Sequence, residues 1–376
     1  MLLPVSSTAV LSLLILSFLC LGCWINMFKA TGARWRFELF SIDFSIGAMV
    51  VVLISAFTLG TMGSDLAYSD RILVAGRTAQ ALAVIAGAVF NLGNMLLLAS
   101  VSLLGVSTAF PLTIGVALVV NSLFHFRSGN LLYLLLGILI MFAAIVFDIR
   151  SARLREAAVA ATAKKEAIPA TAPHAATVTA GAKPAAAGMR TPRQHSGKHV
   201  KPPHKERKVR KSLRGIIAAL IGGTALGVFA PILNNCIPGD LGLGPYGGML
   251  LFGLGVLIST IVYDFYFLNI TIEGSSLTFG AYLTGKLAQH LLGFAAGALC
   301  MLGLLAAALA MAAPPSAEVS LFLQVFLPLL SVVLAFAFGV SIWKEFSTPG
   351  NVRVPMMVGV GLFACSLAVF AFGISR

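Results

Sequence analysis

Ten apolar runs of about 20 residues each account for most of this 376-residue sequence. A run of that length can cross the hydrocarbon core of a bilayer as a helix, since 20 residues at about 1.5 Å per residue cover about 30 Å. The approximate bounds are 6–28, 40–60, 78–99, 105–124, 130–149, 214–236, 247–268, 287–311, 317–342 and 352–374. The sequence therefore predicts an all-α membrane protein with ten transmembrane helices.

Composition argues against a soluble enzyme. The chain is 59% hydrophobic and 10% charged, whereas soluble domains carry about 25% charged residues. No charged side chain occurs from Met1 to Ser17, so we expect the first run to be retained as a span and not cleaved as a signal peptide. The five cysteines lack the spacing of a metal site, and no HExxH, GxSxG or triad spacing is present. We expect no enzymatic activity, metal or cofactor.

Residues 150–214 break the apolar pattern. They contain no Phe, Trp or Tyr, six prolines, and sixteen Lys or Arg against three acids, a surplus equal to the +13 net charge of the whole chain. Such a composition buries too little apolar surface to offset the entropy of ordering, so we expect a disordered linker. The domains are then 1–149, a basic linker at 150–213, and 214–376. Without aromatic side chains to stack on bases, the linker favours water or anionic lipid headgroups over nucleic acid.

The two apolar blocks repeat one another. Short identical strings recur in the same order: Leu21-Gly22 with Leu226-Gly227, Val52 to Ser55 with Val256 to Ser259, Ala86-Gly87-Ala88 with Ala296-Gly297-Ala298, Leu92-Gly93 with Leu302-Gly303, Pro111-Leu112 with Pro328-Leu329, and Ser122 with Ser341. Because each block has an odd number of spans, the second block must enter the membrane from the opposite side. The sequence therefore predicts a 5+5 inverted repeat, an architecture typical of secondary transporters.

The distribution of basic residues predicts the orientation. If residue 1 lies outside, fourteen Lys or Arg fall in cytoplasmic loops or beside cytoplasmic span ends, and four fall outside: Arg71, Arg77, Arg127 and Arg376. Basic residues near span ends are retained on the cytoplasmic side. We expect a multi-pass cell-membrane protein with both termini outside and the linker in the cytoplasm.

The candidates for a substrate-binding site are mainly prolines and amide side chains within the spans. A Pro-interrupted span at equivalent places in two repeats points to the binding site, although each proline could also be a simple kink. Amides can bind a polar substrate without burying charge, or they can join helices to one another. An aromatic beside an amide could stack on a flat substrate or only pack. The substrate-binding candidates are Trp24, Asn26, Asn91, Asn94, Pro111, Gln324 and Pro328.

Three ionisable residues in the spans are candidates for proton coupling. Ionisable groups in a membrane are costly and usually functional. Asp43 lies about one turn inside the second span, where desolvation would disfavour its charged form; the alternative is an interfacial carboxylate paired with Arg34, Arg36 or a neighbouring helix. Asp264 and His290 lie near the cytoplasmic ends of their spans and could form a relay, a structural gate or a surface pair.

Several stretches resemble a known family. They are Leu21 to Asn26, Arg34 to Phe40 with Asp43, Gly274 to Gly285, His290 to Gly293 with Gly297, and Trp343 to Phe346. These stretches resemble the ureide permease-like branch of the drug/metabolite transporter superfamily. The resemblance implies ten helices and, as in plant members, proton-coupled uptake of allantoin, uracil and related nitrogen-rich compounds. Where the family carries Gly-Gln-Gly-Ala-Pro, this chain keeps Gln324 and Pro328 without the glycines, and its linker lacks the family's Walker-like sequence.

Together these features favour a proton-coupled secondary transporter of a small polar metabolite, ureide-like or nucleobase-like. Two alternatives stay within the superfamily, namely a sugar transporter and an exporter of metabolites or drugs. A third alternative is a membrane scaffold that recruits partners through the basic linker. The sequence leaves the oligomeric state open.

Overall fold

The computed structural model describes residues 1–32, 34–124, 130–166, 205–239, 241–270, 272, 274, 276–317, 319–345 and 353–375. Within these residues the regular structure is helical, with no strand. The helices are α1 (Ser7–Ala30), α2 (Phe37–Phe57), α3 (Tyr68–Val74), α4 (Arg77–Leu104), α5 (Val106–Leu123), α6 (Leu131–Glu166), α7 (Lys205–Asn234), α8 (Gly244–Asn269), α9 (Gly280–Leu283), α10 (Leu287–Met311), α11 (Leu321–Ser341) and α12 (Arg353–Ser375). All except the short α3 and α9 contain a stretch long and apolar enough to cross a membrane, so the ten predicted apolar helices are confirmed.

The two ends of the predicted linker are helical and not disordered. Helix α6 continues from its apolar part through Glu166, and α7 begins at Lys205, before its apolar part starts at Ser212. Ala, Arg, Lys and Glu dominate these extensions, and all four are strong helix formers. Extending an existing helix also avoids the cost of nucleation, which the composition argument did not consider. Residues 167–204 lie outside the described residues.

Helices from the two blocks pack against each other more than within their own block. Helix α10 packs against α1 and α2, while α4 packs against α7 and α8. Helix α11 contacts α1, and α5 contacts α7. Three further contacts join α2 to α8, α5 to α11 and α6 to α12. If α1–α6 are exchanged for α7–α12, each of these contacts is converted into itself or into another contact of the set.

Four glycines allow backbones to touch where these helices cross. A Cβ atom placed on each would meet a backbone carbonyl oxygen of the facing helix: Gly47 meets Phe294 at 2.0 Å, Gly297 meets Phe44 at 1.9 Å, Gly87 meets Phe252 at 2.0 Å and Gly255 meets Val84 at 2.0 Å. The first two contacts form the α2–α10 crossing and the last two form the α4–α8 crossing. Helices in lipid associate through such close packing, since the surrounding lipid is as apolar as the helices. No side chain larger than hydrogen fits at these points without moving a helix.

We expect Gly297→Ala to destabilise the protein, because its methyl group would overlap the Phe44 carbonyl oxygen. Overpacking of this kind costs about 1–3 kcal/mol, measurable as a lower melting temperature in detergent. The matched control is Gly361→Ala in α12, where no atom lies within 4 Å of the added Cβ and alanine is the better helix former. Equal melting temperatures for the two variants would contradict this account of the crossing.

Candidate functional site

A cavity of about 180 Å³ lies between the two blocks. Its wall is built from three helices of the first block, α1, α4 and α5, and their three counterparts in order in the second block, α7, α10 and α11. A single water needs only about 10–15 Å³ measured in this way. This central cavity is therefore large enough for several waters or a small molecule.

Aromatic rings form much of the wall of the central cavity. Trp24, Phe90, Phe110 and Phe229 all line it, and the Trp24 ring lies 6.2 Å from the Phe110 ring, edge to face. Phe229 follows Trp24 by the 205 residues that separate the repeated Leu-Gly pairs, so the repeat could have identified it from sequence. No acidic or basic side chain occurs among the described residues of the wall; its hydrogen-bonding side chains include Asn94, Asn121 and Ser331.

The predicted substrate-binding residues divide into two groups. Three line the central cavity: Trp24, Asn94 and Pro328. Four lie outside its described wall: Asn26, Asn91, Pro111 and Gln324. Pro111 is buried inside α5, and the Gln324 amide donates a hydrogen bond to the Val319 carbonyl oxygen at 2.7 Å, at the start of α11. Sequence reasoning missed the aromatic wall, because Phe residues are also common in packed cores.

Asn91 and Asn94 lie one turn apart on α4 but differ in their surroundings. The Asn91 side-chain nitrogen lies 2.9 Å from the hydroxyl oxygens of both Ser259 and Thr260 on α8. It therefore joins two helices, which was the structural alternative for this amide. Asn94 is 1% exposed, and its side-chain nitrogen has no hydrogen-bond partner among the described residues. An amide N–H group at a cavity wall is available to a bound molecule.

A second group of side chains, the Asp43 cluster, lies where α2 and α10 begin. The Tyr282 hydroxyl, just after α9 begins, donates to Asp43 Oδ1 at 2.6 Å, and His290 Nδ1 lies 2.9 Å from Asp43 Oδ2. The Trp35 ring packs edge-on against His290 at 4.9 Å. Gly293 makes room for the carboxylate, since a Cβ there would lie 2.7 Å from the Asp43 Cβ. Burial and the bond to Asp43 both raise the pKa of Tyr282, so its phenol stays protonated at neutral pH.

Asp264 does not pair with His290, which instead contacts Asp43. The Asp264 Oδ1 atom lies 2.6 Å from the Ser41 hydroxyl oxygen, and that hydroxyl also lies 2.8 Å from the Glu38 carbonyl oxygen. A serine hydroxyl has one proton to donate. If Ser41 donates it to the Glu38 carbonyl, the short contact with Asp264 requires Asp264 to carry the other proton. The geometry accommodates a protonated Asp264 as well as an ionised one.

A third group, the Glu345 cluster, joins the ends of three helices. Glu345, which follows α11, pairs with Lys29 at the end of α1, with 2.8 Å between Oε1 and Nζ. The same carboxylate accepts hydrogen bonds from the backbone N–H groups of Val106 at 3.0 Å and Ser107 at 2.8 Å, at the start of α5. Two residues earlier, the Trp343 indole donates to the Asn26 amide oxygen at 2.9 Å, which explains why Asn26 is not in the cavity wall.

The carboxylate of Glu345 is held in its charged form. Burial raises the pKa of Glu345. Lys29 and the Ser107 N–H lower it by more than burial raises it, so the net pKa lies below the ordinary 4.5. A carboxyl group whose pKa is lowered by folding stabilises the fold above its unfolded pKa. Its contribution is therefore fully present above pH 4.5 and is lost only as the pH falls through the lower folded pKa.

Comparison with known proteins provides no assignment: no protein-family model matches the chain, and no curated protein matches its sequence significantly.

The difference between Asn91 and Asn94 predicts opposite effects on stability. We expect Asn94→Leu to keep or raise the melting temperature, because it removes a buried donor that has no partner among the residues the structure describes. We expect Asn91→Leu to lower it, at about 0.5–1.5 kcal/mol for each lost hydrogen bond to α8. Thermal unfolding of the two purified variants measures both effects. A larger loss at Asn94 than at Asn91 would contradict the assignment of these two amides.

Proposed function

We propose that the protein is a secondary active transporter that binds a small polar metabolite in the central cavity. The main support is Asn94, whose buried side-chain nitrogen has no partner in the described part of the chain and which lies at the wall of a cavity lined by equivalent helices of two blocks. Buried polar groups in proteins are nearly always hydrogen-bonded. An unpaired buried donor is most readily tolerated where a bound ligand can accept its hydrogen bond. Around Asn94, the aromatic wall offers flat surfaces on which a planar molecule can stack.

The inverted repeat is part of the proposal. Each block contributes five spans and places one short helix, α3 or α9, between its second and third spans. The contacts between helices exchange with one another when the blocks are exchanged, and so do the two glycine crossings. An odd number of spans in each block requires the blocks to run in opposite directions through the membrane. The central cavity could then face either side in turn as one block moves against the other.

The family and the substrate class rest on the sequence resemblance. We propose a ureide permease-like transporter of ureide-like or nucleobase-like compounds, with the linker in the cytoplasm and both termini outside. Because no charged side chain lines the described cavity wall, an uncharged substrate is favoured over an ionic one. Sugars, and metabolites or drugs moved outward, are the alternatives within the superfamily.

Proton coupling is assigned to the Asp43 cluster and to Asp264. Asp43 is 6% exposed and contacts His290 and Tyr282, so a proton that reaches the cluster can be shared between a carboxylate and an imidazole. Asp264 has one carboxyl oxygen, Oδ2, with no partner among the described residues. Both carboxyl groups lie on helices that cross between the blocks, so a change in their charge can affect how α2 packs on α10 and α8.

A ligand screen tests the binding site. We expect purified protein to melt at a higher temperature with one member of a panel of allantoin, nucleobases, sugars and amino acids, because a ligand stabilises the state that binds it. The stabilisation should be lost in Asn94→Leu and kept in Asn269→Leu, a control whose exposed amide donates to the Phe265 carbonyl oxygen of its own helix. A ligand shift that is unchanged in Asn94→Leu would exclude this cavity as the site.

Uptake into proteoliposomes tests the coupling. We expect an imposed pH gradient to drive uptake of the identified ligand, and Asp43→Asn to abolish the response to the gradient while exchange of ligand at equal pH persists. Asp70→Asn is the control, because Asp70 is an exposed acid on α3. Full gradient-driven uptake by Asp43→Asn would remove the role of Asp43, and uptake indifferent to the gradient would remove proton coupling.

A further inference from the structure

We propose that the Glu345 cluster is the gate that closes the central cavity at the linker end, meaning the end of the bundle where α6 ends and α7 begins. The inference rests on the proposed transport function, because a gate presupposes a cavity that opens. It assigns the role of a gate to Glu345 and Lys29. From the sequence alone, these two residues could equally be an ordinary ion pair at a span end.

The Glu345 cluster joins three of the helices that enclose the cavity. Lys29 follows the cavity residue Trp24 by five residues on α1, and Val106 precedes the cavity residue Phe110 by four residues on α5. At 1.5 Å per residue, the ion pair therefore lies roughly 6–8 Å beyond the cavity wall. Glu345 comes from the end of α11, whose Pro328 also lines the cavity. The Trp24–Phe110 ring contact and then the Glu345 cluster thus lie in sequence across the linker end.

The two sides of the contact belong to different blocks. Glu345 is in the second block, and the groups bonded to its carboxylate, Lys29 Nζ and the backbone N–H groups of Val106 and Ser107, lie on helices of the first block. Any motion that separates α11 from α1 and α5 at this end must break the ion pair and expose the first N–H groups of α5. The Glu345 carboxylate also faces the positive end of the α5 dipole. These contacts stabilise the closed arrangement relative to the open one.

The ion pair between Glu345 and Lys29 can hold a closed state, and it can also open, because one of its two side chains is partly exposed. The Glu345 side chain is 2% exposed, whereas that of Lys29 is 34% exposed, so water reaches one partner of the pair. The turn that places Glu345 inward needs a positive φ of 47° at Lys344, a conformation that is uncommon for a residue other than glycine. The contacts of Glu345 offset that backbone strain only while the gate is closed.

At the opposite end the structure contains open space. A second cavity of about 450 Å³ is lined there by Asn234 of α7 and Ala308 of α10. Each lies four residues beyond a residue that lines the central cavity, Ala230 and Leu304 respectively. Residues four apart share one face of a helix. The two cavities therefore follow one another along α7 and α10, which is the arrangement expected of a state closed at the linker end.

A cysteine introduced by Ala230→Cys, at a half-buried residue that lines the central cavity, reports which end admits water. The full chain is prepared with its five native cysteines replaced by alanine and reconstituted in vesicles, whose orientation is read from an epitope inserted within 167–204. A membrane-impermeant cationic methanethiosulfonate is applied from one side at a time. We expect labelling at position 230 in this parent protein from the end opposite the linker and little from the linker end.

Opening the gate should change the side of labelling. We expect Glu345→Gln to raise the labelling rate from the linker end by about tenfold, a typical size for coupling between a local contact and a two-state equilibrium. Lys29→Met, which keeps the carboxylate on the α5 N–H groups, should produce a smaller rise in the same direction. Arg353→Gln is the control, because this exposed residue at the start of α12 loses one unit of charge at the same end of the bundle, away from the turn that places Glu345.

Three outcomes overturn the gate. They are a folded Glu345→Gln protein labelled at the parent rate from the linker end, a lowered melting temperature with unchanged sidedness, and an equal rise in Arg353→Gln. If Glu345→Gln does not fold, Lys29→Met decides by the same measurement. Labelling needs no substrate, so these results are distinct from failure of the proposed transport, which would appear as a thiol at position 230 that is unreachable from either side in the parent and in the gate variants.

Discussion

Direct contact between helix backbones at glycine is the interaction on which the rest of the structure depends. Lipid provides no hydrophobic force to bring apolar helices together, so close packing must stabilise the crossings. Gly47 and Gly297 allow α2 and α10 to touch, and Gly87 and Gly255 do the same for α4 and α8. Both crossings join one block to the other. The central cavity lies beside these crossings, with α4 and α10 in its wall together with α5 and α11, each of which contains a proline.

The polar side chains in the bundle follow the same arrangement. Because α10 lies on α2, His290 meets Asp43, and because α8 lies on α2 as well, Asp264 meets Ser41. Each carboxyl group therefore lies between helices of different blocks. Glu345 repeats the pattern at the end of the bundle, with its carboxylate in one block and Lys29 in the other. The carboxyl groups and the close helix crossings therefore both lie at the boundary between the two blocks.

The sequence predicts features that depend on one helix alone, such as the spans, and does not predict features that depend on which helix packs beside it, such as the partner of a side chain. The ten spans follow from length and apolarity, and Asp43 stands out because a carboxylate in a span is costly. Its partner could not be predicted, because Asp264 also lies near a span end on the side where His290 begins α10, and only the packing of α10 on α2 selects between the carboxylates. Asn91 and Asn94 share a helix face, yet α8 brings acceptors to one of them alone. The helical linker ends were missed because composition describes a free chain and not one continued from a packed helix.

The length of α6 has a consequence for the shape of the molecule. Its 36 residues correspond to about 54 Å, well beyond the roughly 30 Å of hydrocarbon in a bilayer. The apolar part ends at Ala158, and the eight residues that follow add about 12 Å of helix. Helix α7 approaches its own apolar part through a similar extension. Both helices therefore continue beyond their apolar parts, α6 by about 12 Å and α7, over residues 205–211, by about 10 Å.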